Sequence, residues 1–138
     1  MDKQLDTETE DKLVSAARQA VRAAHSPYSK VCVGAALLDE GGRIHGGCNV
    51  ESASYGLTIC AERTALVSAI CAGSRRFRAV AVASNLPRLL MPCGACRQFL
   101  SEFGASMQVI VVGPAGERHR TTMDKLLPEA FTPDDLHA

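Results

Sequence analysis

Cys60-Ala61-Glu62 and Pro92-Cys93-Gly94-Ala95-Cys96 put three thiols and one carboxylate into two short stretches of the chain. Sulfur ligands select zinc, whereas magnesium and calcium prefer oxygen. A structural zinc site closes with four protein ligands; a catalytic one keeps three and leaves the fourth position to water. The three cysteines therefore predict an open zinc centre with a carboxylate beside it. His25, His45 and His119 are the remaining donors near expected sheet or loop segments, and His137 lies in the tail. None of them has ligand-like spacing to the cysteines, so each is read as an ordinary surface or strand histidine.

Cys93 and Cys96 are three residues apart at an expected helix start, so both sulfurs lie on one face and can reach one ion at about 2.3 Å. Cys60 must come from a second helix start. Unsatisfied N–H groups and the helix dipole lower thiol pKa values at both places. Three thiolates overcompensate the charge of Zn²⁺ and weaken it as a Lewis acid. Arg63 is expected to relieve this by donating to a thiolate. Glu62 sits two residues from a ligand, where its carboxylate is expected to take a proton from water and pass it to a ring nitrogen and then to a departing amine. Alone, a glutamate there would simply stabilise a helix N-terminus. A Cys two residues before Glu, with P-C-x-x-C downstream, is the pattern of the zinc nucleobase deaminases.

The elements that must hold these residues follow from periodicity. Thr7-Glu8-Thr9-Glu10 reads as a capping box, and Leu13, Ala16, Ala17, Ala20, Val21 and Ala24 predict a helix to about His25. Val31 to Leu38 and Arg43 to Asn49 read as a hairpin about Asp39-Glu40-Gly41-Gly42, followed by a loop over 50–59. A helix is expected from Cys60 to a Gly73 cap, a strand over 79–84, a helix from Cys93 to Phe103, a strand over 108–113 and a short helix over 121–127. Strands alternating with helices imply a mixed sheet covered on both faces, a three-layer α/β/α sandwich. Both motifs then fall at strand-to-helix junctions, where such sheets form their crevice.

The 138 residues suit a single domain. Fifteen basic and fifteen acidic residues balance, with no charge block long enough to follow a phosphate backbone, so no nucleic-acid partner is expected. Arg75, Arg76 and Arg78 read as a solvated turn. No apolar stretch approaches a membrane span, and the polar, acidic first fifteen residues do not resemble a signal peptide. The expectation is a soluble, cytoplasmic protein in which Cys32, Cys48 and Cys71 are small buried hydrophobes without chemistry.

With these residues in place, the chain closely resembles the small, homotetrameric, zinc-dependent cytidine deaminases with three cysteine ligands. Cys60 to Ala65 and Pro92 to Gln98 carry the resemblance, together with Pro27-Tyr28-Ser29, Val33 to Leu37, Gly47 to Glu51 and Leu126 to Phe131. It implies a mixed five-stranded sheet, hydrolytic deamination of cytidine and 2′-deoxycytidine with release of ammonia, and a place in pyrimidine salvage. Asn49 and Glu51 would grip the ribose, and the backbone around Ala61 together with Glu62 would read the pyrimidine edge. Tyr55 would help organise substrate and subunit contacts, and Phe131 would reach over the base in a neighbouring subunit. The chain departs from the family at Val31, where an aromatic residue usually packs against the pyrimidine. That change implies weaker stacking, or room for a bulkier cytosine.

A deaminase of blasticidin S or of a modified cytosine nucleoside is the nearest alternative, and Asn49, Glu51 and Glu62-Arg63 favour cytidine over it. A polynucleotide deaminase would usually place His at the first ligand position and carry a basic surface. A zinc-stabilised binding module would need a fourth protein ligand.

Overall fold

A strand buried along its whole length needs partners on both edges and cover on both faces. Val33–Asp39 (β1) is such a strand. The computed structural model, which describes residues 4–137, pairs it antiparallel with Ile44–Cys48 (β2) and with Phe77–Ser84 (β3). β3 lies parallel to Gln108–Val112 (β4), and β4 antiparallel to Arg118–Thr122 (β5). The five-stranded sheet has the order β2-β1-β3-β4-β5.

One helix covers one face. Thr7–Val21 (α1) lays Leu13, Val14 and Ala17 against Ala36, Leu38, Ala81 and Ile110. Ala61–Cys71 (α2), Gly94–Ser101 (α3) and Met123–Leu126 (α4) cover the other, where Ala65, Leu66, Leu100 and Met123 pack on Leu37, Val80, Val82 and Val109. The three-layer α/β/α arrangement expected from the pattern is the one observed. None of the helices among the described residues is long and apolar enough to cross a membrane.

Four local expectations are corrected. The α1 cap is Asp6, whose carboxylate accepts from Thr9 N–H at 2.7 Å, and not a Thr7 box. Glu10, the supposed second half of that box, is buried and takes charge-assisted bonds from Arg118 and Arg120 at 2.6–3.1 Å. α1 also stops at Val21, before His25. Arg118–Thr122, which carries no apolar alternation, is a strand because its backbone pairs with β4 while Arg118 and Arg120 reach across to α1. Cys71 is exposed at the end of α2, and Cys32 and Cys48 are only half-buried.

Two glycines set how closely the layers approach. A Cβ at Gly34 would lie 2.1 Å from the Ala17 carbonyl oxygen of α1, and one at Gly47 would lie 2.3 Å from the Ala65 backbone nitrogen of α2. α2 thus rests on the bare backbone of β2, which fixes the height of its first turn. Gly46, next door, is exposed, and a Cβ there would meet only the Ala35 carbonyl oxygen, in ordinary contact at 3.9 Å. Gly47→Ala should therefore lower unfolding stability in urea by about 3 kcal/mol through overpacking, while Gly46→Ala leaves it within about 0.5 kcal/mol. Equal losses in the two variants would contradict the close helix–strand contact.

Candidate metal centre

Cys60 and Cys93 are the N-cap residues of α2 and α3. Both have extended backbone, and neither sulfur is spent on capping its own helix. The first turns of both helices leave backbone N–H groups without intrahelical partners, so positive potential surrounds both sulfurs. Cys96 lies in the first turn of α3 and is buried, Cys60 is half-buried and Cys93 is exposed. The three Sγ atoms lie within 4.8 Å of one another; Cys60 and Cys93 are 3.8 Å apart, and Cys93 and Cys96 3.3 Å.

These spacings fit zinc. Tetrahedral coordination at about 2.3 Å per bond separates two sulfurs by about 3.8 Å. Among the described residues no histidine or carboxylate joins the cluster. His45 is occupied elsewhere: its Nε2 lies 3.0 Å from Asp39 Oδ2, and Ser74 Oγ donates to the same oxygen at 2.7 Å. The bonds from His45 and Ser74, with those from Arg43, outweigh the desolvation of Asp39 and hold its carboxyl well below the usual range. His25 and His119 are exposed.

Arg63, in the first turn of α2, donates from Nη2 to Cys60 Sγ at 3.8 Å. Its Nε is buried without a hydrogen-bond partner, so this guanidinium is held against the sulfurs rather than released to solvent. The Cys60 thiol is pulled well below its usual range, chiefly by its bond with Cys96 and then by Arg63. Cys96 is pushed up by the same partnership and by burial, so Cys60 gives up its proton first. Glu62 is buried, and loss of solvent, helped by the negative charge on Cys60, pushes its carboxyl up to about 7. A carboxyl with that pKa can both take and release a proton near neutral pH.

Other sequence-predicted residues are brought near one another with partners of their own. Asn49 is buried; its Oδ1 accepts from Val33 N–H at 2.9 Å and its Nδ2 donates to the Val31 carbonyl at 2.8 Å. One amide N–H and one lone pair remain for another partner. Glu51 accepts from the backbone N–H groups of Tyr28 and Ser29 at 2.9 and 3.2 Å and from the Ser29 hydroxyl. Ser29 is thus its principal anchor, although no spacing rule marks that serine. Tyr55 stands edge-on to Tyr28 at 5.9 Å, and both line a cavity of about 360 Å³ with Ser29, Glu51 and Thr58. Val31 packs at the margin of the core that contains Ala61.

Phe131 lies apart from this group. It is 56% exposed and lines a different cavity, about 470 Å³, with Ser101, Glu102 and Asp124. Its carbonyl accepts from Gln98 Nε2 at 2.9 Å, and Arg97 holds the carbonyls of Pro92 and Leu126 at 2.7 and 3.0 Å. Two residues of the second cysteine motif therefore tie the C-terminal segment to α3.

Comparison with known proteins agrees with this geometry. A family model described as the cytidine and deoxycytidylate deaminase zinc-binding region matches residues 7–112. The chain is 46% identical to a cytidine deaminase of Sporosarcina psychrophila over 91% of its own length and 93% of that protein. It is also 46% identical to a probable cytidine deaminase of Dictyostelium discoideum, over 97% and 91%. A crystal structure of cytidine deaminase from Burkholderia pseudomallei superposes with a TM-score of 0.84 at 46% identity, covering 88% of this chain and 98% of that one.

One zinc per chain is expected by atomic absorption. Cys96→Ser should lose most of it during dialysis against a chelator that leaves the parent loaded, while Glu62→Gln should retain it. Undiminished zinc in Cys96→Ser, or loss in Glu62→Gln, would contradict the three-sulfur assignment.

Proposed function

The chain belongs to the cytidine and deoxycytidylate deaminase family, and on that footing we propose that it hydrolyses cytidine and 2′-deoxycytidine to the corresponding uridines and ammonia. The observation that carries this reading is a buried glutamic acid two residues from one of three converging cysteines. Cys60, Cys93 and Cys96 would hold a zinc ion, which when bound would supply the Lewis acidity that makes water nucleophilic near neutral pH.

The rest is done by the chain. Water adds to C4 of the pyrimidine, and Glu62 moves one of its protons to ring N3. Glu62 then carries the remaining hydroxyl proton to the exocyclic amine, the C4–N bond breaks, and ammonia leaves as the C4 carbonyl forms. Arg63 offsets the charge of the sulfurs. The backbone at Ala61 faces the pyrimidine edge. Glu51 and the free capacity of Asn49 hold the ribose hydroxyls, and Val31 and Tyr55 bound the pocket. With Val31 smaller than an aromatic, the pocket also has room for a substituted cytosine.

The active unit we propose is a homotetramer, in the cytoplasm, serving pyrimidine salvage. In it Phe131 closes the pocket of a neighbour, consistent with its exposure away from the cysteines of its own chain. Val67 and Phe99, exposed on α2 and α3, offer further apolar surface for such contacts.

Loss of the cytosine chromophore, followed with cytidine, deoxycytidine, cytosine base and N4-substituted cytidines, tests the reading. Both nucleosides should turn over and the free base should not, and Glu62→Gln should reduce kcat by at least about 10³-fold with zinc retained. Turnover of cytosine base would contradict the ribose grip, and a fully active Glu62→Gln the proton shuttle.

A further inference from the structure

The β1–β3 ladder ends at the pair Val33 and Ser84. Before it, residues 30–32 lead into β1 with no regular strand beside them, yet each backbone polar group there is paired. Asn49, beyond the end of β2, takes the Val33 N–H and the Val31 carbonyl. Asn85, beyond the end of β3, takes the other side. Its Oδ1 accepts from Cys32 N–H at 2.9 Å, its Nδ2 donates to the Lys30 carbonyl at 3.0 Å, and its backbone N–H donates to the Cys32 carbonyl at 3.0 Å. Two asparagine side chains thus do the work of two missing strands.

This segment is a place where the backbone needs holding. Lys30 has φ +64°, the left-handed region that is unfavourable for a residue with a Cβ. The segment also bears directly on the pocket. Val31 N–H donates to Ser29 Oγ at 3.0 Å, the same hydroxyl that donates to Glu51. Moving residues 30–32 would therefore move Glu51's partner and the Val31 side chain together.

We propose that Asn85 is a positioning residue of the nucleoside pocket: by clamping Lys30 and Cys32 it fixes the Val31 wall and the Ser29–Glu51 contact against which the nucleoside is held. This rests on the deaminase reading above. Asn85 is itself exposed, so its truncation opens no cavity in the core. It acts on substrate through the segment rather than by touching the reacting atoms.

The test compares zinc-loaded Asn85→Ala and Asn85→Asp with the parent for cytidine turnover, zinc content and hydrogen exchange at the Cys32 amide. Losing two hydrogen bonds of ordinary strength corresponds to a KM raised about tenfold in Asn85→Ala, with kcat within about twofold and zinc unchanged. Asn85→Asp keeps the acceptor for Cys32 N–H and loses the donor to Lys30, so its KM should fall between the two. The Cys32 amide should exchange faster in Asn85→Ala. A parental KM in both variants, or a drop in kcat without a rise in KM, overturns the proposal. If Asn85→Ala does not fold, the KM of Asn85→Asp decides in the same way. A parent protein that leaves cytidine untouched would instead overturn the deaminase reading, and Cys32 exchange would still report on the clamp.

Discussion

Three sulfurs that must all become negative within 4.8 Å of one another are the constraint on which the site depends. Bringing like charges so close is unfavourable unless positive potential surrounds them. The chain supplies it by making Cys60 and Cys93 the caps of two helices and by holding the guanidinium of Arg63 against Cys60. Burial, helped by the negative charge on Cys60, raises the Glu62 carboxyl to about 7.

The sheet exists in this form because both helix starts must meet at one edge. β1 is buried along its length, and β3 and β4 run parallel, so the chain must cross between them, and α3 lies in that crossover. α2 is seated on β2 at the distance of a bare glycine backbone. A shift of that helix would carry Cys60, Glu62 and Arg63 with it, since all three belong to its cap and first turn. Packing of the second layer is therefore part of the site's geometry.

The metal half of the site was legible in the sequence because it is local: ligand spacing, a glutamate two residues on, and helix starts are short-range signals. The layers were legible because β1, β3 and β4 are continuous apolar runs. Arg118–Thr122 was not, since its pairing is non-local and its arginines serve an ion pair with Glu10 rather than an apolar face. The capping box fails for the same reason: Glu10 bonds to arginines more than a hundred residues away, and the helix is capped by Asp6 instead. Asn49, Glu51 and Val31 could be singled out from the sequence, but the hydrogen bonds that join Asn49 to Val31 and Val33, and Glu51 to Ser29, could not. Those contacts depend on how a turn folds back in space.

The open three-sulfur centre is most directly tested by X-ray absorption at the zinc edge of the loaded protein without substrate. The spectrum should fit three sulfurs at about 2.3 Å and one lighter atom at about 2.0 Å, the latter belonging to water. A fourth sulfur, or the multiple scattering of a histidine ring, would show a closed structural site and contradict the account.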